Sequence, residues 1–226
     1  LSPPPPPPIS PPLTPPPSPP PIPPLPPLPP FLPPPPASPD VAQAIYRRYR
    51  EGRPSNTLAE AGVLVHMFDG WEMRDVPWAP CMTGWCAIGH MSCSLINHHA
   101  GGVFQLGSSQ YRGAGGVVLA PTTQFTCSYP GDGGTADSRM CCGGCAPGQS
   151  FAPDNLQSMM ELFQRDYKRG NYNEVVVSSQ HWMDHLPGII QAFISGRGHN
   201  NIAHGAHAAF LATYGLTAAQ VPMVAL

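Results

Sequence analysis

The chain has 226 residues, of which 34 are proline and only 11% are charged, with a formal net charge of −2. No Lys/Arg run is present, so nucleic acid and anionic membrane are poor partners. No apolar run approaches the roughly 18 residues of a membrane-spanning helix.

Proline is concentrated at the start. Twenty-five of the first 40 residues are proline, and no charged residue precedes Asp40. Proline fixes φ and removes the N–H donor, so neither helix nor sheet ladder can form over residues 1–39. The available state is polyproline II, with three residues per turn and about 3.1 Å per residue, hence a rod of roughly 120 Å. Residues three apart share a face of such a rod. Leu1, Leu13, Ile22, Leu25, Leu28 and Phe31 fall in one register of three. Ile22 to Phe31 is therefore expected to form an apolar docking stripe, or else marks positions where a low-complexity tract tolerates apolar residues. Ser2, Ser10, Thr14, Ser18 and Ser38 scatter over all faces.

Residues 40–226 are long enough for one domain with a real core. Its expected diameter is roughly 40 Å. A rod about three times as long extends past its own domain. Neighbouring subunits or a bound sheath are therefore expected to hold it, as in a fibre. The chain opens on Leu1 without a Met or a signal-peptide core, and reads as a mature chain or a fragment.

Ser38-Pro39-Asp40 gives a start signal for a helix with Val41, Ala44, Ile45 and Tyr49 on its inner face and Gly52 at its end. Arg47, Arg48, Arg50 and Arg53 crowd it and read as a solvated face. A second helix is predicted from about Ser55 to Phe68, with Leu58, Ala61, Val65 and Phe68 inward. Trp71, Trp78 and Trp85 stand among cysteines, which suggests a small core under irregular loops or a sugar-stacking platform.

The seven cysteines are Cys81, Cys86, Cys93, Cys127, Cys141, Cys142 and Cys145. Their clustering predicts a disulfide-stapled, extracellular region, with one thiol left over. Zinc on Cys141, Cys142 and Cys145 is the competing reading, though adjacent cysteines chelate awkwardly. No Asn-x-Ser/Thr sequon occurs, so any sugar is O-linked.

Residues 94–97, 116–120 and 124–129 read as strands, the last with Phe125, Cys127 and Tyr129 on one side. Residues 130–150 read as a stapled loop. Pro153-Asp154 opens a helix to about Arg169, with Leu156, Met159, Met160, Phe163 and Tyr167 inward. Asn173-Glu174-Val175-Val176-Val177 is the clearest strand. Ser178 or Ser179 caps a helix that Pro187 must break or restart, after which Ile189, Ile190, Phe193 and Ile194 pack. Asn200 or Asn201 opens a last helix with Ala206, Phe210 and Tyr214 apolar, ended by Gly215. Thr217 caps a turn before Pro222. The order points to a mixed α+β domain behind an N-terminal rod.

Several sites can be weighed. His181 with His185, and His204 with His207, have metal-sharing spacing, but no Glu follows His181 in the metalloprotease pattern. Capping or surface histidines fit better, and no metal or cofactor is expected. Cys86 with His90 has no catalytic signature, and there is no Gly-x-Ser-x-Gly elbow or Walker loop. Tyr172-Asn173-Glu174 followed by Val175-Val176-Val177 resembles the glutamate-bearing strand of ADP-ribosyltransferases. That resemblance implies Glu174 as the catalytic residue of an NAD-dependent enzyme. Gly89-His90 stands in the reverse order of that family's His-Gly motif. The simpler reading pairs Glu174 with a nearby Arg.

A broader resemblance rests on the rod. Ser2-Pro3 to Pro8 and Ser18-Pro19-Pro20-Pro21 resemble hydroxyproline-rich glycoproteins of the extensin type. A proline rod joined to a Cys-containing domain is similar to green-algal wall and matrix proteins. The segments Ala42-Gln43-Ala44-Ile45, Trp78-Ala79-Pro80-Cys81, Asn173-Glu174-Val175-Val176-Val177 and Leu216 to Pro222 resemble a functionally uncharacterised domain of secreted algal proteins. The resemblance implies prolyl 4-hydroxylation with arabinose or galactose chains at Pro4, Pro5, Pro6, Pro7, Pro12, Pro16, Pro17, Pro20, Pro21, Pro24, Pro27, Pro30, Pro34 and Pro35. The Tyr-x-Tyr motif and Lys-rich spacers of extensins are missing. The expectation is a structural, non-enzymatic subunit of an extracellular fibre, partnered by copies of itself. A secreted enzyme or lectin on a rod is the alternative.

Overall fold

The computed structural model describes residues 41–68, 90–99, 115–131, 150–166, 173–195 and 200–225. The rod, its stripe Leu13, Ile22, Leu25, Leu28 and Phe31, and the hydroxylation positions lie outside them. So do Trp71, Trp78, Trp85, Tyr167, Tyr172, the 130–150 loop beyond its ends, and Cys81, Cys86, Cys141, Cys142 and Cys145.

Helix α1, Val41–Glu51, buries Ile45, with Val41 and Tyr49 packed beside it one turn either way. The Gly52 N–H closes it on the Arg48 carbonyl. The predicted second helix is cut to one turn, α2, Leu58–Ala61. Gly62 then takes φ +148°, a conformation that glycine adopts without penalty. The chain leaves it as strand β1, Val63–Phe68, not as helix. A side chain at position 62 would run into the Ile96 carbonyl, so this corner admits only glycine.

Strands β2 (His90–Ile96), β3 (Gly115–Leu119), β4 (Cys127–Tyr129), β5 (Glu174–Ser178), β6 (Ile190–Ser195) and β7 (Met223–Val224) complete one sheet. The order is β4-β5-β2-β1-β3-β6-β7, so β1 is its centre. Val63 pairs with Ile96 on one side, and Val65 with Val118 on the other. All ladders are antiparallel except β6–β7, which is parallel. The fold is α+β, with a mixed seven-stranded sheet.

Helices cover both faces. On one, α1 lays Ile45 over Val63, Val65, Val118, Ala192 and Ile194. On the other lie α3 (Leu156–Asp166), α4 (Ser179–His185) and α5 (Asn200–Tyr214). Their Leu156, Met159, Met160, Phe163, Trp182, Ala206 and Phe210 pack on Leu64, Met91, Leu95, Val117, Val175 and Phe193. α3 comes after a single 3-10 turn at Pro153–Asn155, and its inner face is the predicted one.

Ser178 caps α4, its hydroxyl accepting the His181 N–H at 2.9 Å. Pro187 ends that helix as expected, but the chain then enters strand β6 and does not restart a helix. β7 carries no strand signal in the sequence, and the predicted strand over 124–129 is regular only at its last three residues. Gly115 of β3 is what lets α5 approach the sheet, since a Cβ there would stand 2.8 Å from the Ala203 Cβ. α5 ends where Gly215 turns left-handed at φ +64° and the Leu216 N–H returns to the Leu211 carbonyl.

Candidate functional site

Asn173 and Glu174 stand where the chain enters β5, between β4 and β2 in the sheet, and both are buried. Asn173 precedes β5, and its amide pairs with the β2 backbone. Its Oδ1 accepts the Leu95 N–H at 2.8 Å and its Nδ2 donates to the Leu95 carbonyl at 2.7 Å. The backbone ladder of β2 and β5 runs from His90↔Ser178 to Cys93↔Val175. The Asn173 side chain thus continues it by one more pair.

Glu174 opens β5 opposite Tyr129, and both are 3% exposed. Cys93 of β2 is close enough to feel its charge. Burial raises the Cys93 thiol pKa strongly, and the Glu174 carboxylate adds to the effect. The Glu174 side chain is thus buried where β5 lies between β4 and β2.

Of the two described cysteines, Cys127 is disulfide-bonded and Cys93 is a free, buried thiol. Cys93 thus stands outside the bridges, where seven cysteines leave one thiol over. It sits on the inner face of β2 among Met91, Leu95 and the helices, where it packs as a small apolar side chain.

The histidine pairs do not converge as ligands. His181 and His185 lie with ring centroids 4.1 Å apart on α4. The His181 Nε2 accepts the Gln124 N–H at 3.2 Å, and the His185 Nδ1 donates to the His181 carbonyl at 2.8 Å. His204 is exposed, while His207 is buried and its Nε2 donates to the Val221 carbonyl at 2.6 Å. His207 so ties α5 to the segment leading into β7. Among the described residues no three His, Cys, Asp or Glu side chains gather as a metal site.

A feature the sequence does not disclose is a cleft of about 520 Å³ between α1 and α2. Arg47, Arg48 and Arg53 line it together with Glu51 and Glu60. The sequence places these arginines on a solvated face. Arg48 instead leans onto the sheet, and its Nη2 donates to the Gln191 Oε1 of β6 at 2.6 Å. No sequence spacing signals this, because Glu60 and Arg53 meet only through the corner that α2 makes, where the Arg53 N–H donates to the Glu60 carbonyl at 3.0 Å.

No protein-family model matches the chain, and neither the curated proteins nor the solved structures include a match.

Proposed function

We propose that this chain is a structural subunit of an extracellular, O-glycosylated fibre or cell-wall assembly, in which the globular domain is a node and residues 1–39 a spacer. The observation that carries the reading is the proline tract, 25 of the first 40 residues with no charge among the first 39. A polyproline II rod leaves its carbonyls without any backbone N–H to satisfy them, and sugars on hydroxylated prolines would meet that need on every face. The resemblance to extensin-type glycoproteins supports the same reading. So does the disulfide at Cys127, which suits an oxidising compartment. Copies of the chain are the partners, with the Ile22–Leu25–Leu28–Phe31 stripe as the docking seam.

The test is peptide mass and hydroxyproline analysis of residues 1–40 from the native source. Hydroxylated prolines carrying pentose or hexose ladders are expected. A bare, unmodified tract would overturn the glycoprotein reading. Deleting residues 1–39 should leave a soluble monomer, and filaments formed by the truncated chain would remove the rod from the assembly.

A further inference from the structure

Three guanidiniums share the α1–α2 cleft, and they differ in how they are held. Arg47 and Arg53 are exposed, and neither side chain makes a hydrogen bond or ion pair among the described residues. Arg48 is partly buried, and the partner of its fork is the neutral Gln191 amide. An uncompensated cation withdrawn from water is a standing cost, which an anion in the cleft would relieve. Burial indeed lowers the Arg48 pKa from the usual arginine value.

The carboxylates of the cleft do not neutralise these arginines. Glu60 accepts the Ser55 hydroxyl at 2.8 Å, and Glu51 has no partner among the described residues. Three arginines against two glutamates leave a formal charge of +1. That balance attracts an anionic group to the cleft. Guanidinium forks take a carboxylate or sulfate in two parallel hydrogen bonds. The two carboxylates keep acceptor capacity to spare, and they suit the hydroxyl donors of a polyol. The volume lies in the range of small-ligand sites, about 300–1,000 Å³.

We infer that the α1–α2 cleft is a binding site for an acidic saccharide unit, with Arg47, Arg48 and Arg53 on its anionic group and Glu51 and Glu60 on its hydroxyls. The inference stands apart from the fibre reading, since it concerns the soluble chain and needs no modified proline.

The experiment is calorimetric titration of the full chain with sodium glucuronate, glucose and inorganic phosphate, repeated on the double variant Arg47→Ala/Arg53→Ala. Both substituted side chains are exposed, so the variant keeps the fold, checked by its unchanged melting curve. Glucuronate is expected to bind, glucose not to bind, and the double variant to bind glucuronate at least about tenfold more weakly. Equal binding by the variant, or no binding by the native chain, overturns the site. Phosphate binding as tightly as glucuronate also overturns it, leaving a general anion patch.

Discussion

Asn173 holds the backbone of Leu95 at both ends, accepting its N–H and donating to its carbonyl. Both residues are buried, so neither backbone group has water to fall back on. Asn173→Ala would strand a buried donor and a buried acceptor, at a cost of about 3 kcal/mol. Asn173→Asp should cost more, because a carboxylate would face the Leu95 carbonyl with no proton to give. Urea unfolding of the two variants measures this. A loss below about 0.5 kcal/mol in Asn173→Ala would mean that the amide is not the clasp between β2 and β5.

The same region shows what the sequence could and could not reveal. β5 was legible because Val175, Val176 and Val177 are three β-branched residues in a row. The inner face of α3 was legible because Leu156, Met159, Met160 and Phe163 recur at helical spacing on a helix with one wet side. β1 was not. Its Val63, Leu64 and Val65 are all buried, because α1 covers one face of the sheet and α3 to α5 the other. A strand covered on both faces shows no alternation, and Leu58, Ala61, Val65 and Phe68 then mimic a helix. Ile189, Ile190, Phe193 and Ile194 of the β6 region mislead in the same way. The arginine cleft was hidden for another reason, since its two walls meet only where the chain turns between α1 and α2 and the Arg53 N–H reaches the Glu60 carbonyl.

His66 gives the domain a pH dependence of defined sign. The β1–β2 ladder stops at Val65↔Ser94, and the His66 Nδ1 takes over by donating to the Ser92 carbonyl at 2.7 Å. The ring stands edge-on to Trp182, with centroids 5.9 Å apart. Burial lowers the His66 pKa, and the bond to Ser92 opposes this only in part. His181 is lowered as well, by burial first and then by His185. Both imidazoles therefore bind protons less readily in the folded state than in the unfolded chain, where histidine titrates near about 6.5. Their contribution is complete above that value and is lost as pH falls through it towards the folded pKa. The melting temperature should fall between about pH 7 and pH 5, and His66→Gln, which keeps a donor for Ser92, should fall less steeply. Parallel curves for the two proteins would assign the dependence elsewhere.

Cys93 and Cys127 should separate cleanly by chemistry. The thiolate is the form that reacts with alkylating agents. Cys93 is 2% exposed, and burial with the Glu174 charge beside it raises its pKa, so the folded chain holds it as an unreactive thiol. Iodoacetamide at about pH 8 should leave Cys93 unmodified in the native chain and modify it fully in denaturant, where the thiol returns to about 8.5. Cys127, being disulfide-bonded, should stay unmodified in both until a reductant is added. Peptide mass mapping after each treatment reads the two positions independently. Labelling of Cys93 in the native chain would show that β2 opens between β1 and β5 on the labelling timescale. The Asn173–Leu95 clasp closes that end of the β2–β5 pairing, so the same experiment on Asn173→Ala should show Cys93 becoming labelled without denaturant.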